Sequence, residues 1–357
     1  MDHPYYRLMA MKTFQSICLP LFRSCVLCIV FIGLIASGVV AGDQQNARTI
    51  LLSAPFASQR ANFLHATLGI PRLETAFVLP PETWYARLGT DHTHSEKGPH
   101  VGGSYMQQEV REGRRVPDYY LGRYHRWIAL ELTRGIGLRT EVHARAGYAG
   151  WDEHRDHFYF FSPEGTPLVE GEYRDVYGIG ATGRDGDLAD VVLQSKTELY
   201  EVVTPHSRHC VSLAASLKLP LGKANNLVDA GTVDPGLRLL ATSTMGQLAV
   251  HLNAGAVVPL GEQNLFVEEA DVDLDPMIVW GVGLVWLPTS TVACGVQIEG
   301  NTSAFSDVPF LKEDPVTALI GLRKLTLNYV IEAGIGIGFD TDTSYTWSFF
   351  FSLGKTF

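Results

Sequence analysis

The chain of 357 residues is long enough for two soluble domains or for one large barrel. Its 38 acidic against 28 basic residues give a formal net charge of −10, which excludes the basic footprint of a nucleic-acid binder. Only 18% of residues are charged, 46% are hydrophobic and 35 are glycine, a balance that favours closely paired β-structure over solvated helices and argues against a polytopic helical membrane protein.

Residues 1–41 read as a secretory signal peptide. Lys12 and Arg23 precede an apolar run from Val26 to Val40, and Val39-Val40-Ala41 places small residues where a signal peptidase cuts. The run of 15 residues is short for a spanning helix, which needs ~20. Cys18, Cys25 and Cys28 fall in this region, and Cys28 has no lipobox before it, so lipidation is not expected. Of the remaining cysteines, Cys210 alternates with Ser212 and Ser216, and Cys294 with Val292, Val296 and Ile298. Those partners put the two on opposite sides of a wall and predict no disulfide.

Residues 42–82 carry Gly69, Pro71, Pro80 and Pro81 and scattered apolar groups, so they read as a periplasmic lead-in or a segment folded into a lumen. From residue 83 to 357 the pattern changes to period two. Twelve amphipathic strands are predicted, roughly 83–91, 118–133, 136–148, 187–201, 208–220, 234–243, 247–258, 276–287, 291–301, 316–323, 325–338 and 345–357. Short links alternate with longer, polar ones rich in Gly, Asp and Pro. That is how an outer-membrane barrel is built, with brief periplasmic turns and long external loops. The expected fold is therefore all-β: a single-chain antiparallel transmembrane β-barrel of about 12 strands, both chain ends on the periplasmic side.

On the last strand Tyr345, Trp347, Phe349, Phe351, Leu353 and the terminal Phe357 fall on one face, with Phe350 the exception on the other. The ending on an aromatic makes Phe357 the expected membrane-assembly signal, read by the barrel-assembly machinery. Elsewhere the charged faces are expected to line the lumen, because charges facing lipid are costly. That assigns Glu131, Arg139, Glu141, His143, Arg145, Lys196, Glu198, Lys218, Arg238 and His251 to a polar lining, either a solute path or a set of mutual ion pairs that seals the bore. Opposite charges across antiparallel neighbours stabilise by roughly 0.2–1 kcal/mol each, which favours a register pairing Arg139 with Glu198 and Glu141 with Lys196, with Glu131 flanking Arg139. Tyr119, Tyr120, Tyr148, Trp280, Trp286, Tyr345 and Trp347 would form an aromatic girdle.

Gly69-Ile70-Pro71-Arg72, Gly150-Trp151-Asp152, Asp156-His157-Phe158, Gly186-Asp187-Leu188 and Lys218-Leu219-Pro220-Leu221-Gly222 occur in that order. Together they resemble an uncharacterised family of Gram-negative outer-membrane barrels, broadly similar to barrels proposed as transporters in aromatic-compound degradation. Leu221 departs from the small polar residue usual before that last Gly. The resemblance implies a barrel and supplies neither a substrate nor a functional residue.

Catalytic chemistry is not expected. A lipase needs a Ser nucleophile beside a His base, whereas His206-Ser207 lies in a predicted turn and His94-Ser95 in a loop. Asp152, His154, Asp156 and His157 are residue types that ligate divalent ions, but a solvated loop accounts for them without a metal. Glu268, Glu269, Asp271, Asp273 and Asp275 share one external loop, where they either bind cations that bridge lipopolysaccharide or keep the loop solvated. No cofactor is expected. The partners are outer-membrane lipid and lipopolysaccharide, the assembly machinery and a small solute. Two functions follow: a narrow or gated channel for passive passage of a small, apolar or aromatic solute, or a closed barrel with a structural or surface-interaction role.

Overall fold

The computed structural model describes residues 41–56, 72–95, 118–161, 167–168, 184–221, 231–266, 270–304, 314–339 and 347–357. Twelve long strands form the wall: β1 (Trp84–Ser95), β2 (Asp118–Gly137), β3 (Thr140–Phe161), β4 (Arg184–Val203), β5 (Ser207–Leu219) and β6 (Asp234–Met245). They continue as β7 (Leu248–Val257), β8 (Met277–Thr289), β9 (Val292–Asn301), β10 (Val316–Thr326), β11 (Tyr329–Gly338) and β12 (Trp347–Thr356). Each pairs antiparallel with its sequence neighbours, and β1 also pairs with β12 from Tyr85↔Thr356 to His94↔Trp347, so the sheet closes on itself. Closure leaves no unpaired edge, a condition for a β-structure in hydrocarbon. Short links of two or three residues alternate with long ones, as the sequence predicts. The two-residue turns need positive φ to match strand twist; Gly246 supplies 58° and Leu327 supplies 52°.

Alternation decides what each face meets. On β8, Ile278, Trp280, Val282, Leu284 and Trp286 are exposed, while Met277, Val279 and Val285 between them are buried. On β12, Trp347, Phe349, Phe351 and Leu353 are exposed and Ser348, Phe350 and Ser352 are buried. The same outward apolar face recurs with Leu237 and Leu239, Ile320 and Leu322, and Ile335 and Ile337. Water would not tolerate so continuous an apolar belt, and lipid requires it. Trp84, Tyr200, Trp286 and Tyr329 are exposed near the short-turn end, where an interfacial girdle belongs, and Trp347 stands near the other end. Tyr345 and the side chains of Tyr119 and Tyr120 lie outside the described residues.

The N-terminal segment is not the irregular chain that its composition suggests. Ala41–Ser53 forms a helix, α1. It escapes notice because only Ala47, Ile50 and Leu51 hold the i, i+3, i+4 spacing, while Gln44, Gln45 and Asn46 are polar. That face is buried: Ala47 and Ile50 pack in one cluster with Ala76, Phe77, Leu79, Cys210, Ala214 and Leu240. Ala54, Pro55 and Phe56 follow α1, and a second, extended piece runs from Arg72 to Glu82. Both pieces lie against inward faces of the wall. Residues 1–40, which include nearly all of the expected signal peptide, lie outside the described residues.

Three expectations need correction. Arg139 sits in the two-residue turn between β2 and β3, with its side chain 65% exposed, so it does not line the bore. Glu131 therefore flanks Arg145 and Arg87 rather than Arg139. Phe357 is buried instead of lipid-facing. Strand β12 ends at Thr356, so strict alternation no longer sets the direction of Phe357. Its backbone still exchanges hydrogen bonds with Trp84, at 2.9 and 3.3 Å, and the Lys355 Nζ lies 4.8 Å from its ring. Deleting Phe357 removes both bonds at the closing seam, and the fraction of chain running as the compact, heat-modifiable band on electrophoresis is expected to fall several-fold. Full recovery of that band in the truncated chain would contradict the role given to the seam.

Candidate functional site: a charged lumen and the segment that fills it

A helix leaves its last four carbonyls without intrahelical partners. In α1 all four are met. Ile50 O accepts from Ala54 N at 3.0 Å and from Ser53 Oγ at 3.2 Å. Leu51 O and Leu52 O accept from the Arg323 guanidinium on β10 at 2.7 and 2.9 Å, and Ser53 O faces His251 Nε2 on β7 at 2.8 Å. A carbonyl only accepts, so Nε2 of His251 carries the hydrogen, and Nδ1 accepts from Thr242 Oγ1 at 3.0 Å. Arg323 reaches on to Ala54 O at 2.6 Å and Pro55 O at 2.8 Å, placing a fixed cation at the negative end of the helix dipole.

The charge on Arg323 is shared around the wall. Glu332 on β11 accepts from Arg323 Nε at 2.6 Å, from Ser352 Oγ at 2.7 Å and from Arg87 on β1 at 3.4 Å. Arg87 also holds Glu131 on β2 at 2.6 Å, and Glu131 holds Arg72 of the extended piece at 2.5 Å. Five side chains of alternating sign thus run from one piece of the N-terminal segment to the other, four of them supplied by β2, β1, β11 and β10 of the wall. Each carboxylate has two cations and each wall arginine a carboxylate, which is the condition for keeping charge out of water.

The expected Glu141–Lys196 pair is present in register, at 2.7 Å, and Glu198 faces Arg139 at 3.8 Å. The first pair also grips the segment: Lys196 donates to Thr75 O at 3.0 Å and Glu141 accepts from Leu79 N at 2.7 Å. Arg238 donates to Arg72 O at 2.8 Å, to Glu74 at 2.9 Å and to Gln194 at 2.7 Å. Thr242 Oγ1 accepts from Ala76 N at 2.8 Å, and Ser212 donates to Ala76 O at 2.5 Å.

Of the other assigned residues, His143 is inward and meets Thr133 at 3.2 Å, and Arg145 is half-buried opposite Glu131. Lys218 is fully buried between Asp190, at 3.0 Å, and Asp234, at 3.2 Å. The side chains of Asp152, His154, Asp156, His157, Asp271 and Asp273, and residues 268 and 269 of the acidic loop, lie outside the described residues. Among those described, no cluster of His, Cys, Asp and Glu is disposed to hold a metal. Cys210 and Cys294 are free thiols.

Sequence reasoning passes over Arg87, Gln297, Glu299, Arg323 and Glu332. Alternation was the available signal for all five: Gln297 and Glu299 interleave with Val296 and Ile298, and Arg323 with Leu322. Gln297 grips Phe56 at both ends, accepting from its N–H at 3.0 Å and donating to its carbonyl at 3.0 Å. The Phe56 ring lies against Gly321, 6.2 Å from the Phe350 ring and 5.0 Å from the Arg323 guanidinium carbon. Between the two pieces and the wall there remains a cavity of about 110 Å³ lined by Arg72, Arg87, Glu131, Lys196, Arg323 and Glu332 among others. It is polar and roomy enough for a small cluster of water.

Replacing Glu332 with Ala leaves Arg87 with one carboxylate and Arg323 with none. Breaking a buried pair from one side costs about 3–5 kcal/mol, so Glu332→Ala is expected to lower the denaturant midpoint of the folded barrel markedly. A surface-pair control, Glu82→Ala, removes only the exposed contact to Arg134 and is expected to shift it little. Equal midpoints for the two variants would refute the relay.

No protein-family model matches the sequence, and no match is found among curated proteins. Solved structures do match. A crystal structure of an outer-membrane channel from Pseudomonas putida F1 superposes with a TM-score of 0.56 at 10% identity, covering 78% of this chain and 97% of that one. The CymD monoaromatic hydrocarbon channel, at 11% identity, covers 85% of this chain and 94% of that one, with a TM-score of 0.37. The toluene transporter TbuX of Ralstonia pickettii, at 12% identity, covers 84% and 99%, also with a TM-score of 0.37. The first of these establishes a shared fold: this chain is built as that outer-membrane channel is built.

Proposed function

We propose that the protein is an outer-membrane channel for passive passage of small solutes, closed at rest by its own N-terminal segment, with the short-turn end facing the periplasm. One observation carries this reading. What occupies the bore is a separate stretch of chain, and beside the apolar contacts of Ile50, Leu52, Phe77 and Leu79 the wall holds it by many hydrogen bonds and ion pairs that water or a solute can replace. Two apolar side chains, Phe56 and Leu73, sit on glycine positions of the wall, at Gly321 and at Gly281 and Gly283. Polar and charged residues, Glu299, Gln297 and Arg323 among them, surround these two apolar seats, so a solute with both polar and apolar parts suits the bore better than a bare hydrocarbon or a simple ion. The aromatic or apolar solute expected from sequence fits only the seats.

The second reading, a permanently sealed barrel that meets lipopolysaccharide or a partner through its loops, is supported by the same filling. The two differ in whether the segment ever leaves. Arg72→Ala with Glu74→Ala removes the Arg72–Glu131 and Glu74–Arg238 ion pairs of the extended piece while leaving every wall residue in place. In planar bilayers that full-length variant is expected to pass several-fold more KCl current than the unsubstituted chain, and removal of residues 42–82 more again. No current from either would reject the channel and favour the sealed barrel.

A further inference from the structure

We propose that the solute this lumen is built to take is a short peptide, bound through its main chain; the proposal rests on the channel reading above. The wall carries a trough on β7, β8 and β9. Its floor is Gly281 and Gly283, the inward residues of β8 at mid-height. In register, Gly281 stands between Asn253 on β7 and Glu299 on β9, and Gly283 stands between His251 and Gln297. Each glycine is thus flanked on both sides by a polar, buried side chain.

All four flanking side chains engage main-chain groups. Gln297 pairs with both the N–H and the carbonyl of Phe56. Asn253, with its carboxamide oriented to satisfy both atoms, accepts from Glu74 N at 2.6 Å and donates to Glu74 O at 3.1 Å. Glu299 accepts from Leu73 N at 3.2 Å, and His251 donates to Ser53 O. The two-point carboxamide pairing is the way one amide recognises another, and it is indifferent to the side chain of the residue it holds. It occurs twice, on residues of two separate pieces of the segment, from strands on opposite sides of the trough.

The floor is shaped for chain as well. A Cβ at Gly283 would come within 2.6 Å of Leu73 Cδ2, and one at Gly281 within 3.0 Å of Leu73 Cδ1. Any larger residue there would displace what lies in the trough. Glycine in a strand weakens it and marks the close approach of another chain. The N-terminal segment is, on this reading, a tethered ligand: its connection to the wall keeps its local concentration high, so it occupies a site that free peptide can claim only when its other anchors are weakened.

The test uses the full-length chain carrying Arg72→Ala and Glu74→Ala, which loosens the segment without touching the trough side chains. KCl current is recorded with N-acetyl-tetra-alanine amide or with sucrose, a neutral solute of similar mass that lacks peptide groups. The peptide is expected to interrupt the current in proportion to its concentration, at levels where sucrose does not. Adding Gln297→Leu, close in volume but unable to pair with an amide, is expected to abolish the interruptions in chain that still runs as the compact heat-modifiable band. Steady current with equal responses to peptide and sucrose would overturn the peptide proposal and leave the channel standing. Interruptions that survive Gln297→Leu would overturn the trough as their site. Absence of any current would overturn the channel reading and the proposal with it.

Discussion

A guanidinium taken out of water has five N–H groups to satisfy, and Arg323 does so by facing two ways. Toward the wall it meets Glu332; toward the bore it meets four carbonyls at and beyond the end of α1. Neither half suffices alone. Without Glu332 the cation would stand unbalanced at low dielectric, and without the carbonyls most of its donors would be unpaired. The barrel and its filling are therefore not independent structures: the charge that β10 turns inward is buried because a helix end is there to receive it.

The same constraint explains why the lumen holds ion pairs in chains. Twelve strands enclose a bore too wide for wall side chains alone to fill, yet narrower than that of a large water-filled porin. Charge placed there must find charge, and the relay from Arg72 through Glu131, Arg87 and Glu332 to Arg323 is such an arrangement. Apolar seating accompanies it: Ile50, Phe77 and Leu79 pack with Cys210, Ala214 and Leu240, and Leu52 with Ala249, Val285 and Leu325. Burying a large apolar side chain is worth about 1.5–3 kcal/mol, and among the described residues Phe56 and Leu73 are the two set on glycines of the wall. The filling is thus tied to its wall by apolar contacts and also by polar ones that other polar groups can take over.

Much of this was legible in the sequence, and what was not had a physical reason. Outward faces could be read because lipid imposes one rule on every strand. The Glu141–Lys196 register could be read because β3 and β4 are successive strands and one pairing alone joins unlike charges at both positions. The tight turn between β2 and β3 takes Arg139 out of the wall, and a turn boundary is where alternation ceases to inform. Arg87 and Glu332 lie on β1 and β11, brought together across β12 only when the barrel closes; Ser352 and Gly354 are small there, and no local pattern announces that contact. Helix α1 draws its stability from the cluster with Phe77, Cys210 and Leu240 rather than from its own sequence, since a helix of this length is marginal in water.

The glycines of β8 bind these observations together. A barrel wall gains nothing from Gly281 and Gly283 as strand residues, because glycine loses more conformational entropy than any other residue and offers no cross-strand contact. Outward, the same strand is Ile278, Trp280, Val282, Leu284 and Trp286, as strongly apolar as any in the chain. The weakness is confined to the inward face and to the height at which Asn253, His251, Gln297 and Glu299 reach for main-chain groups. Had the wall needed only to be closed, larger apolar residues on β8 would have filled the space and stabilised the strand. Leaving it open for a stretch of chain, and lining its sides with groups that bind amides, makes sense for a wall whose contents are meant to be exchanged.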